Sequence, residues 1–477
     1  MKPIKSIIIT KPEKEKLFDF LLRNRNEENM AVTFCGHNSF GKTLQLLVKD
    51  SQCIGDSGLS QHSAVGLELK KEAYRKILLA SERTHTSLLF WHSHPFTDTA
   101  WFSGTDDQND LMNAEFISKH LPHAYYGNVV VAQKSHKARL YNKKKKDFED
   151  IPELVIIGQP GSNGASTESP TLERNYRAFG KQGQAVISGM KVVMVGCGGL
   201  GWQVVLQLVA LGVRKLLLID PDSLEITNMN RMPGAPFSKV GEPKVKVLAE
   251  ISKQMNPKLD VRYEVASVFE KRIQEKMKRY DVIIAGLDFQ RPRSELNRFA
   301  VKYVKYYLDA GSEIILENGK VKHAGGQINL VIPGVGPCLA CNNTLDWKSI
   351  LYEGMDKREQ EFEVKRGYIR GVSEPSASVV SINGVVASSL VNEFLALATG
   401  LKEPAYYTYF DYMSKGSLMF TIDAKRNEKC IICGRDSLLA CGDIENREED
   451  PKELPAFIKE VDHDEGAIAG AAEQDES

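Results

Sequence analysis

The chain has 477 residues, 62 basic and 62 acidic side chains, 42% hydrophobic residues and eight cysteines. At about 150 residues per domain, this length predicts two or three compact units with real cores, which excludes disorder as the main state. The net charge of zero provides no overall field to hold a polyanion, so we expect no binding to nucleic acid or to a membrane surface.

The N-terminal segment does not predict export, because Lys and Pro interrupt its apolar run. No run approaches the about 20 apolar residues of a membrane span. The best candidate, residues 385–397, carries Asn392 and Glu393. We therefore expect a cytoplasmic protein in a reducing compartment, where paired cysteines more often bind metal than form disulfides.

Pattern and composition divide the chain into four segments. Residues 1–145 alternate short apolar strands with amphipathic helical stretches, which predicts a first α/β domain. Residues 146–170 contain the run GQPGSNGASTESP, which is typical of a flexible linker. Residues 171–440 repeat a β-turn-α pattern with continuous apolar strands, which predicts a parallel sheet covered by helices. The acidic residues 441–477 predict a mobile tail.

The first candidate site follows a predicted strand at residues 88–91. His92-Ser-His94 comes next, and after eight residues the chain reads Ser103-Gly-Thr-Asp106. Two imidazoles one residue apart at a strand end point to the same side, and a nearby carboxylate completes a three-ligand Zn²⁺ site with an open position for water. Hydrolysis then needs a general base and a hydrogen bond to the oxyanion. We expect Glu28 to be the base, with its neighbour Glu27 as the alternative, and Ser103 to give the hydrogen bond.

The upstream Glu, the H-x-H and the S-x-x-D together resemble the JAMM/JAB metallopeptidase family over roughly residues 10–142. Glu28-Asn-Met-Ala31 has Ala where that family has Gly. The resemblance implies an α/β/α metallopeptidase domain with one catalytic zinc. Two alternatives stay open, an inactive domain of the same fold and strand-end histidines that bind no metal.

A second motif, Gly36-His-Asn-Ser-Phe-Gly41-Lys42-Thr43, matches the phosphate-binding P-loop pattern. A P-loop needs Lys and Thr to begin a helix. The following residues alternate like a strand, so we expect a β-hairpin here.

The second candidate site begins after a strand at residues 191–195. The chain reads Gly196-Cys-Gly198-Gly199-Leu-Gly201, an apolar helix pattern follows, and Asp220 ends the next strand. This is the dinucleotide fingerprint, in which glycines let the backbone approach phosphate and a later acid binds the ribose. On its own it predicts only NAD, FAD or ATP.

Charged residues further on favour adenylation over hydride transfer, since attack of a carboxylate on the α-phosphate of ATP needs cations. We expect Arg231 and Lys244 to neutralise the phosphates and Asp288 to hold Mg²⁺. The complete set is Asp220, Asp222, Asn228, Asn230, Arg231, Lys244, Asp288, Arg293 and Asn297.

This part of the chain resembles the ThiF/MoeB/ubiquitin-activating enzyme superfamily over about residues 172–435. The resemblance implies ATP-dependent adenylation of the C-terminal glycine of a ubiquitin-like or sulfur-carrier protein. It also implies a homodimer in which Arg177, from Arg174-Asn-Tyr176-Arg177, reaches the partner's ATP. The alternative is that Arg177 pairs with a surface acid.

Two CxxC pairs predict a structural zinc. Cys338-Leu-Ala-Cys341 and Cys430-Ile-Ile-Cys433 can together form a closed tetrahedral thiolate site. The ThiF-like family has this arrangement. A redox interpretation is weaker because neither pair precedes a thioredoxin-like helix.

Activating enzymes that form thioesters carry a nucleophilic cysteine in a loop between the two zinc-binding pairs, and this chain has none there. Cys35, Cys53 and Cys197 lie elsewhere, which leaves Cys441, on a predicted flexible segment, as the one plausible nucleophile. An oxyester on a loop serine is the alternative, although no activating base is evident. The loop serines are Ser373, Ser376, Ser378 and Ser381.

The sequence thus predicts a bifunctional α/β enzyme, with a JAB-type domain followed by a Rossmann-like ThiF domain. The first domain would trim a modifier precursor or cleave conjugates, and the second would adenylate the exposed glycine. A conjugating-enzyme-like protein is a further expected partner. The alternative is a sulfur-carrier activator for thiamine, molybdopterin or cysteine synthesis, with an inactive first domain. A bacterial conjugation or antiphage pathway is suggested by analogy alone.

Overall fold

The computed structural model describes residues 4–63, 66–159, 169–360 and 377–444. The described residues form two compact units, the first from residues up to Ile157 and from 439–444, the second from residues between Gly158 and Leu438. Each unit contains one eight-stranded sheet with helices on it.

The first unit has an alternating succession of strands and helices. Its described helices are α1 (Lys11–Leu21), α2 (Lys71–Thr84) and α3 (Gly104–His120). Its described strands are β1 (Ile4–Thr10), β2 (Met30–Phe40), β3 (Thr43–Ile54), β4 (Leu59–Ser63), β5 (Gly66–Leu69), β6 (Ser87–His94), β7 (Tyr126–Ala132), β8 (His136–Asn142), β9 (Asp147–Asp150) and β10 (Glu153–Ile157). The main sheet has the order β10-β1-β3-β2-β6-β7-β8-β9, and β4 and β5 form a separate pair.

Strand β6 is buried on both faces of this sheet, which explains its continuous apolar sequence. Leu88 and Phe90 contribute to a core cluster that includes α2 and α3 residues, whereas Leu89 and Trp91 contribute to one that includes α1 residues. The first unit is therefore an α/β/α sandwich, which confirms the α/β class predicted from the sequence pattern.

Two stretches of this unit lie where the sequence predicts a linker and a tail. Strands β9 and β10 occupy residues 147–157, and β10 pairs in parallel with β1. They are the two edge strands of the sheet, and the acidic side chains of β9 made this stretch resemble a linker. Residues 439–444 also belong to this unit, where Gly442 forms a β-bridge with His37.

The turn at Gly41 joins β2 to β3 as a hairpin. Phe40 pairs with Thr43, and Gly41 has a φ of 59°, in the left-handed region that glycine adopts readily. The hairpin prediction is confirmed, and no helix begins at Lys42 to hold a phosphate.

The second unit contains one mixed sheet, with five parallel strands followed by three that pair in antiparallel fashion. Its described helices are α4 (Glu173–Gly189), α5 (Gly199–Ala210), α6 (Lys244–Met255), α7 (Lys271–Met277), α8 (Gln290–Tyr303), α9 (Trp347–Gly354) and α10 (Val380–Thr399). Its described strands are β11 (Lys191–Val195), β12 (Lys215–Ile219), β13 (Asp260–Glu264), β14 (Val282–Gly286), β15 (Tyr306–Glu317), β16 (Lys320–Val331), β17 (Tyr407–Asp411) and β18 (Leu418–Thr421). The sheet order is β13-β12-β11-β14-β15-β16-β17-β18.

The strand order reverses direction between β11 and β14. Strands β12 and β13 lie on one side of β11, and β14 and β15 lie on the other, all of them parallel. Open α/β sheets bind ligands at such a switch point, beyond the carboxyl ends of the strands. The glycine-rich segment that follows β11 therefore occupies the expected ligand position.

Among the described helices, α10 alone is long and apolar enough to cross a membrane by length and composition, and 56% of its most apolar stretch is buried. It packs against α5 and β15. Glu393, within this helix, accepts hydrogen bonds from the side chain of Lys402 and the backbone of Ala405. These contacts are those of a core helix.

Candidate functional sites

The first unit brings together two imidazoles and a carboxylate, which we name the histidine-aspartate cluster (His92, His94 and Asp106). The histidines end β6, Asp106 lies in the first turn of α3, and one ligand atom from each lies within 4.8 Å of the others. Nε2 of His92 is 3.4 Å from Oδ1 of Asp106, and Nε2 of His94 is 3.9 Å from Oδ2. The residues chosen from sequence spacing therefore converge in space.

Ser103 is the N-cap of α3, a role that the sequence analysis missed. Its hydroxyl accepts the backbone N–H of Asp106 at 3.1 Å, and its own N–H donates to Oδ2 of Asp106 at 2.6 Å. This reciprocal pair is a capping box. Burial raises the pKa of Asp106, but His92 and the Ser103 bonds outweigh it and hold that pKa well below its usual value. Ser103 thus orients Asp106 as an ionised carboxylate.

Glu28 lies beside the cluster. It lies two residues before the start of β2, its side chain is buried, and its Oε1 is 3.6 Å from Nε2 of His94. Burial raises the pKa of Glu28 to about 7, and the charge of His92 opposes this shift. Glu27 is exposed and accepts a hydrogen bond from Asn24. The geometry therefore favours Glu28 over Glu27 as the base.

Ser93, between the two histidines, fixes the approach of Glu28. Its hydroxyl accepts the N–H of Asn29 at 2.9 Å, and its N–H donates to the carbonyl of Asn29 at 3.1 Å. These two hydrogen bonds join the residue after Glu28 to the middle of the H-x-H motif. The H-x-H spacing contains no signal for this role.

The cluster fits a zinc ion by its donor set. Nε2 of His92, which lies near Asp106, is buried and has no hydrogen-bond partner among the described residues. Two imidazoles and one carboxylate form the usual ligand set of a hydrolytic zinc, which keeps a fourth position for water.

A buried polar group supports α3 on the side of Asp106. Nη2 of Arg139 donates to Oδ2 of Asp110 at 2.6 Å, and its other terminal nitrogen pairs with Asp107. The guanidinium also stacks on Phe102, 3.8 Å from the ring centroid. Burial raises the pKa of Asp110 to about 6, although Arg139 opposes the shift. Asp110 lies one helical turn after Asp106, a spacing that could have identified it.

In the second unit, the glycine-rich segment forms a tight turn that begins α5. Gly196 has a φ of 82°, and a Cβ at Gly196 or Gly201 would overlap backbone oxygens. Gly199 packs between the amide of Asn383 and the side chain of Arg231. Gly198 differs, because it is the N-cap of α5 and a Cβ there would meet nothing within 4 Å. The turn thus leaves free space at the positive end of a helix, as a phosphate requires.

Asp220 does not have the position expected of a ribose ligand. It is buried, and its two carboxylate oxygens accept the N–H groups of Cys197 and Asp222 at 2.6 and 2.8 Å. Burial raises its pKa. Asp220 therefore organises the turn, and the exposed carboxylate two residues on, Asp222, is better placed to contact a ligand.

Three cationic or polar candidates lie around the same strand ends. Nζ of Lys244 is 2.8 Å from Oδ2 of Asp222, and Nη1 of Arg231 donates to the carbonyl of Thr227 at 2.6 Å. Asn228 is buried and its Oδ1 accepts the N–H of Glu225. Asn228 therefore shapes this loop.

Asp288 follows β14 and is exposed, so its carboxylate is available for Mg²⁺. The two residues singled out with it are internal. Arg293 forms an ion pair with Asp309 at 3.2 Å, and Asn297 accepts the N–H of Leu339. They hold α8 in place.

Arg177 lies on α4 with its side chain 77% exposed, where it pairs with Glu173 at 3.1 Å. This contact agrees with the alternative of pairing with a surface acid. The expected contact across a homodimer stays a prediction.

The two CxxC pairs meet in the second unit as a four-cysteine cluster (Cys338, Cys341, Cys430 and Cys433). Sulfur atoms are separated by 3.9, 3.7 and 3.4 Å in three of its pairs. Four thiolates about 2.3 Å from a tetrahedral zinc would stand about 3.8 Å apart. The backbone N–H groups of Asn427 and Ile432 point at two of the sulfurs. The cluster therefore fits zinc by composition and spacing.

Cys441 does not lie on an exposed segment as expected. Its side chain is 6% exposed, and its Sγ lies 3.3 Å from Nζ of Lys49 in the first unit. Burial raises the pKa of Cys35 to about 12 and that of Cys197 well above its usual value. None of these three thiols is an accessible nucleophile in this conformation.

The loop serines are only partly covered by the structure. Ser373 and Ser376 lie outside the described residues, and Ser381 is exposed near the start of α10. Ser378 accepts a hydrogen bond from Asn383. An asparagine amide is not a base, so this contact does not activate Ser378 as a nucleophile.

The chain is similar to modifier-activating enzymes. The NEDD8-activating enzyme E1 catalytic subunit of Schizosaccharomyces pombe is 25% identical over 315 residues, which cover 51% of this chain and 70% of that one. The ubiquitin-like modifier-activating enzyme 5 of Dictyostelium discoideum is 28% identical over 304 residues, or 60% and 72% of the two chains. A solved structure of E. coli MccB with MccA-N7isoASN has a TM-score of 0.47 and 20% identity, with 56% of this chain and 76% of MccB covered.

The sequence pattern of the ThiF family matches residues 172–432, which is more than half of the chain. The matched range contains the glycine-rich turn, Lys244, Asp288 and most of the four-cysteine cluster. The protein therefore belongs to the ThiF family.

Proposed function

We propose that the second unit uses ATP and Mg²⁺ to adenylate the C-terminal glycine of a ubiquitin-like or sulfur-carrier protein. The observation that carries this proposal is the open space at Gly198 on the N-terminus of α5, with Arg231 packed against Gly199. The backbone amides of the glycine-rich turn would bind the phosphates of ATP, and Asp222 would bind its ribose. Arg231 and Lys244 would neutralise charge, and Asp288 would hold Mg²⁺.

The names of the relatives support the class of partner, since both are activating enzymes for small modifiers. In the reaction, the terminal carboxylate oxygen bonds to the α-phosphorus of ATP and the bond to pyrophosphate breaks. The products are a mixed anhydride and pyrophosphate. A homodimer with Arg177 at the partner's ATP remains part of the proposal.

Pyrophosphate–ATP exchange with a candidate partner that ends in Gly tests this function. We expect Lys244→Ala to lower the exchange about 10²- to 10³-fold, as loss of a preorganised charge contact does. The matched control is Lys258→Ala, since Lys258 is an exposed lysine of the same unit. If Lys244→Ala retained full pyrophosphate–ATP exchange, the assignment of Lys244 to the ATP site would be wrong.

We propose further that the first unit is a zinc metallopeptidase that acts on the same polypeptide tail, by trimming a precursor or cleaving conjugates. Its support is the histidine-aspartate cluster with buried Glu28 alongside. Zinc would supply an activated water there. Glu28 would accept the proton from the water, and Ser93 and Ser103 would hold Glu28 and Asp106 in place.

A fusion of the partner with extra residues after its Gly tests this second activity. We expect zinc-dependent cleavage after the Gly, and His92→Ala should lower it to background. If the first unit is an inactive recognition domain, the unmutated protein and His92→Ala should show the same background rate of cleavage.

Activation of a sulfur carrier is the second candidate function of the second unit. It is favoured by the absence of any cysteine in residues 342–429 and by the burial of Cys441. In that case the adenylate would react with sulfide and no covalent adduct would form on this chain. A modifier adduct that survives denaturation and is lost in Ser378→Ala or Cys441→Ala would instead favour conjugation.

A further inference from the structure

Three side chains form a hydrogen-bonded row beside the glycine-rich turn. The hydroxyl of Ser312, in β15, donates to Oδ1 of Asn383 at 2.6 Å, and Nδ2 of Asn383 donates to the hydroxyl of Ser378 at 3.0 Å. Asn383 lies in the first turn of α10 and is only 2% exposed. Because both ends of its amide are engaged, its orientation is fixed.

This row contacts the turn itself. A Cβ on Gly199 would lie 2.6 Å from Nδ2 of Asn383 and 2.9 Å from Cγ of Arg231. Nε2 of Gln203, one turn into α5, is also within hydrogen-bond distance of the carbonyls of Gly199 and Val380. The starts of α5 and α10 are therefore held together, and Ser378 is one hydrogen bond away from the amide that covers Gly199.

The proton of Ser378 is directed away from Asn383. Since the Ser378 oxygen accepts from Nδ2, its own O–H must donate elsewhere, and no acceptor for it is found in the described part of the chain. Ser378 is only partly buried, so a ligand can reach it. The amide of Asn383 links Ser378 to Gly199 in the first turn of α5, where the helix N-terminus and the side chain of Arg231 favour a negative ligand.

We propose that Ser378 is a ligand-binding residue of the second unit. Its hydroxyl donates a hydrogen bond to an anionic oxygen of the ligand at the glycine-rich turn, and Asn383 and Ser312 are positioning residues that aim it. The inference rests on the proposed adenylation. The anionic oxygen belongs either to the α-phosphate of ATP or to the terminal carboxylate of the polypeptide. Ser378 then binds substrate without forming an oxyester.

The experiment measures both ligands in Ser378→Ala. Calorimetric titration with the unreactive analogue AMPCPP and Mg²⁺ gives nucleotide affinity, and pyrophosphate exchange against partner concentration gives the half-saturating polypeptide concentration. A hydrogen bond to a charged group predicts a loss on the order of 10- to 100-fold in one of them. Weaker AMPCPP binding assigns the phosphate, whereas a higher half-saturating concentration with normal AMPCPP binding assigns the carboxylate.

The controls use neighbouring residues. Ser381→Ala removes an exposed hydroxyl of the same segment and should change neither quantity. Ser378→Thr retains the hydroxyl and should restore most of the affinity. If Ser378→Ala stays within about twofold of Ser381→Ala in both measurements, the inference is overturned while the proposed adenylation stands. If the unmutated protein shows neither AMPCPP binding nor exchange, the proposed function fails and this inference with it.

Asn383→Leu tests the positioning role. It keeps the approximate size of the side chain and removes the Nδ2 donor without adding a charge, so the Ser378 hydroxyl is no longer aimed at the ligand. We expect the same loss as in Ser378→Ala, and no further loss when the two changes are combined. Additive losses would show that Asn383 acts independently of Ser378 and would overturn its assignment.

Discussion

The two candidate metal sites differ in the number of ligands they offer and in the groups that lie next to those ligands. The four-cysteine cluster surrounds its centre with four sulfurs, and backbone N–H groups approach two of them. The histidine-aspartate cluster offers three ligands and places a fourth side chain, Glu28, 3.6 Å from His94 without adding it to the ligand set. A closed thiolate site stabilises a fold, whereas an open site with an adjacent acid performs chemistry.

Local structure explains the difference. Each CxxC pair of the four-cysteine cluster lies in a turn outside the described helices and strands, so the metal itself would join two loops that are about ninety residues apart in sequence. The ligands of the histidine-aspartate cluster lie at the end of β6 and in the first turn of α3, elements held by a packed core. We therefore expect the second unit to depend on its metal for stability and the first unit only for activity.

Loss of one thiolate should have the largest effect. We expect Cys341→Ser to destabilise the second unit by at least about 3 kcal/mol, since metal binding contributes directly to folding at such sites. For a unit of this size that lowers its unfolding midpoint by roughly 6–12 °C, measurable by calorimetry. Cys53→Ser, outside the cluster, is the control. An unchanged unfolding midpoint in Cys341→Ser would show that the four-cysteine cluster does not stabilise the second unit.

Loss of an imidazole should separate metal binding from stability. We expect His94→Ala to lower bound zinc from two ions to one per chain, because the two clusters share no ligand. Unfolding of the second unit should be unchanged. Metal analysis after dialysis and calorimetry check the two halves of this prediction. Loss of both ions would contradict the independence of the sites.

Replacement of the adjacent acid should affect chemistry alone. We expect Glu28→Gln to keep both zinc ions and to slow cleavage of an extended precursor about 10²- to 10⁴-fold, as loss of a general base does. Its exposed neighbour gives the matched control, since Glu27→Gln should cleave normally. If instead Glu27→Gln is the slow variant, the assignment of the base moves by one residue.

The ligands of both metal clusters could be predicted from the sequence, because within each cluster they follow short, local spacings. His92 and His94 follow from strand geometry, and the cysteine pairs follow from two turns. What the sequence does not contain is the partner of each polar atom. The hydroxyl of Ser103 bonds to Asp106 and both oxygens of Asp220 bond to backbone amides, and these pairings depend on how the chain folds.

The same limit applies to the unit boundaries. Strand β10 has a short apolar run, but only its pairing with β1, about 150 residues earlier in the chain, assigns it to the first sheet and not to a linker. Cys441 is buried because Gly36 and Gly442 let two backbones approach each other. Such long-range contacts have no local sequence signal, whereas the strands 191–195 and 282–285 were predictable because continuous burial leaves a continuous apolar run.

The smallest effect is expected at Ser103. It distinguishes the helix-capping role of this residue from a hydrogen bond to the oxyanion. As a helix cap, Ser103→Ala should cost about 1 kcal/mol in the first unit and weaken zinc binding about tenfold or more, because Asp106 loses its orientation. The four-cysteine cluster should be unaffected. Thr105→Ala, an exposed change in the same helical turn, is the control. If Ser103→Ala keeps its zinc affinity but cleaves more slowly at saturating zinc, the hydroxyl stabilises the oxyanion, since a capping role acts through the metal ligand and disappears once the site is full.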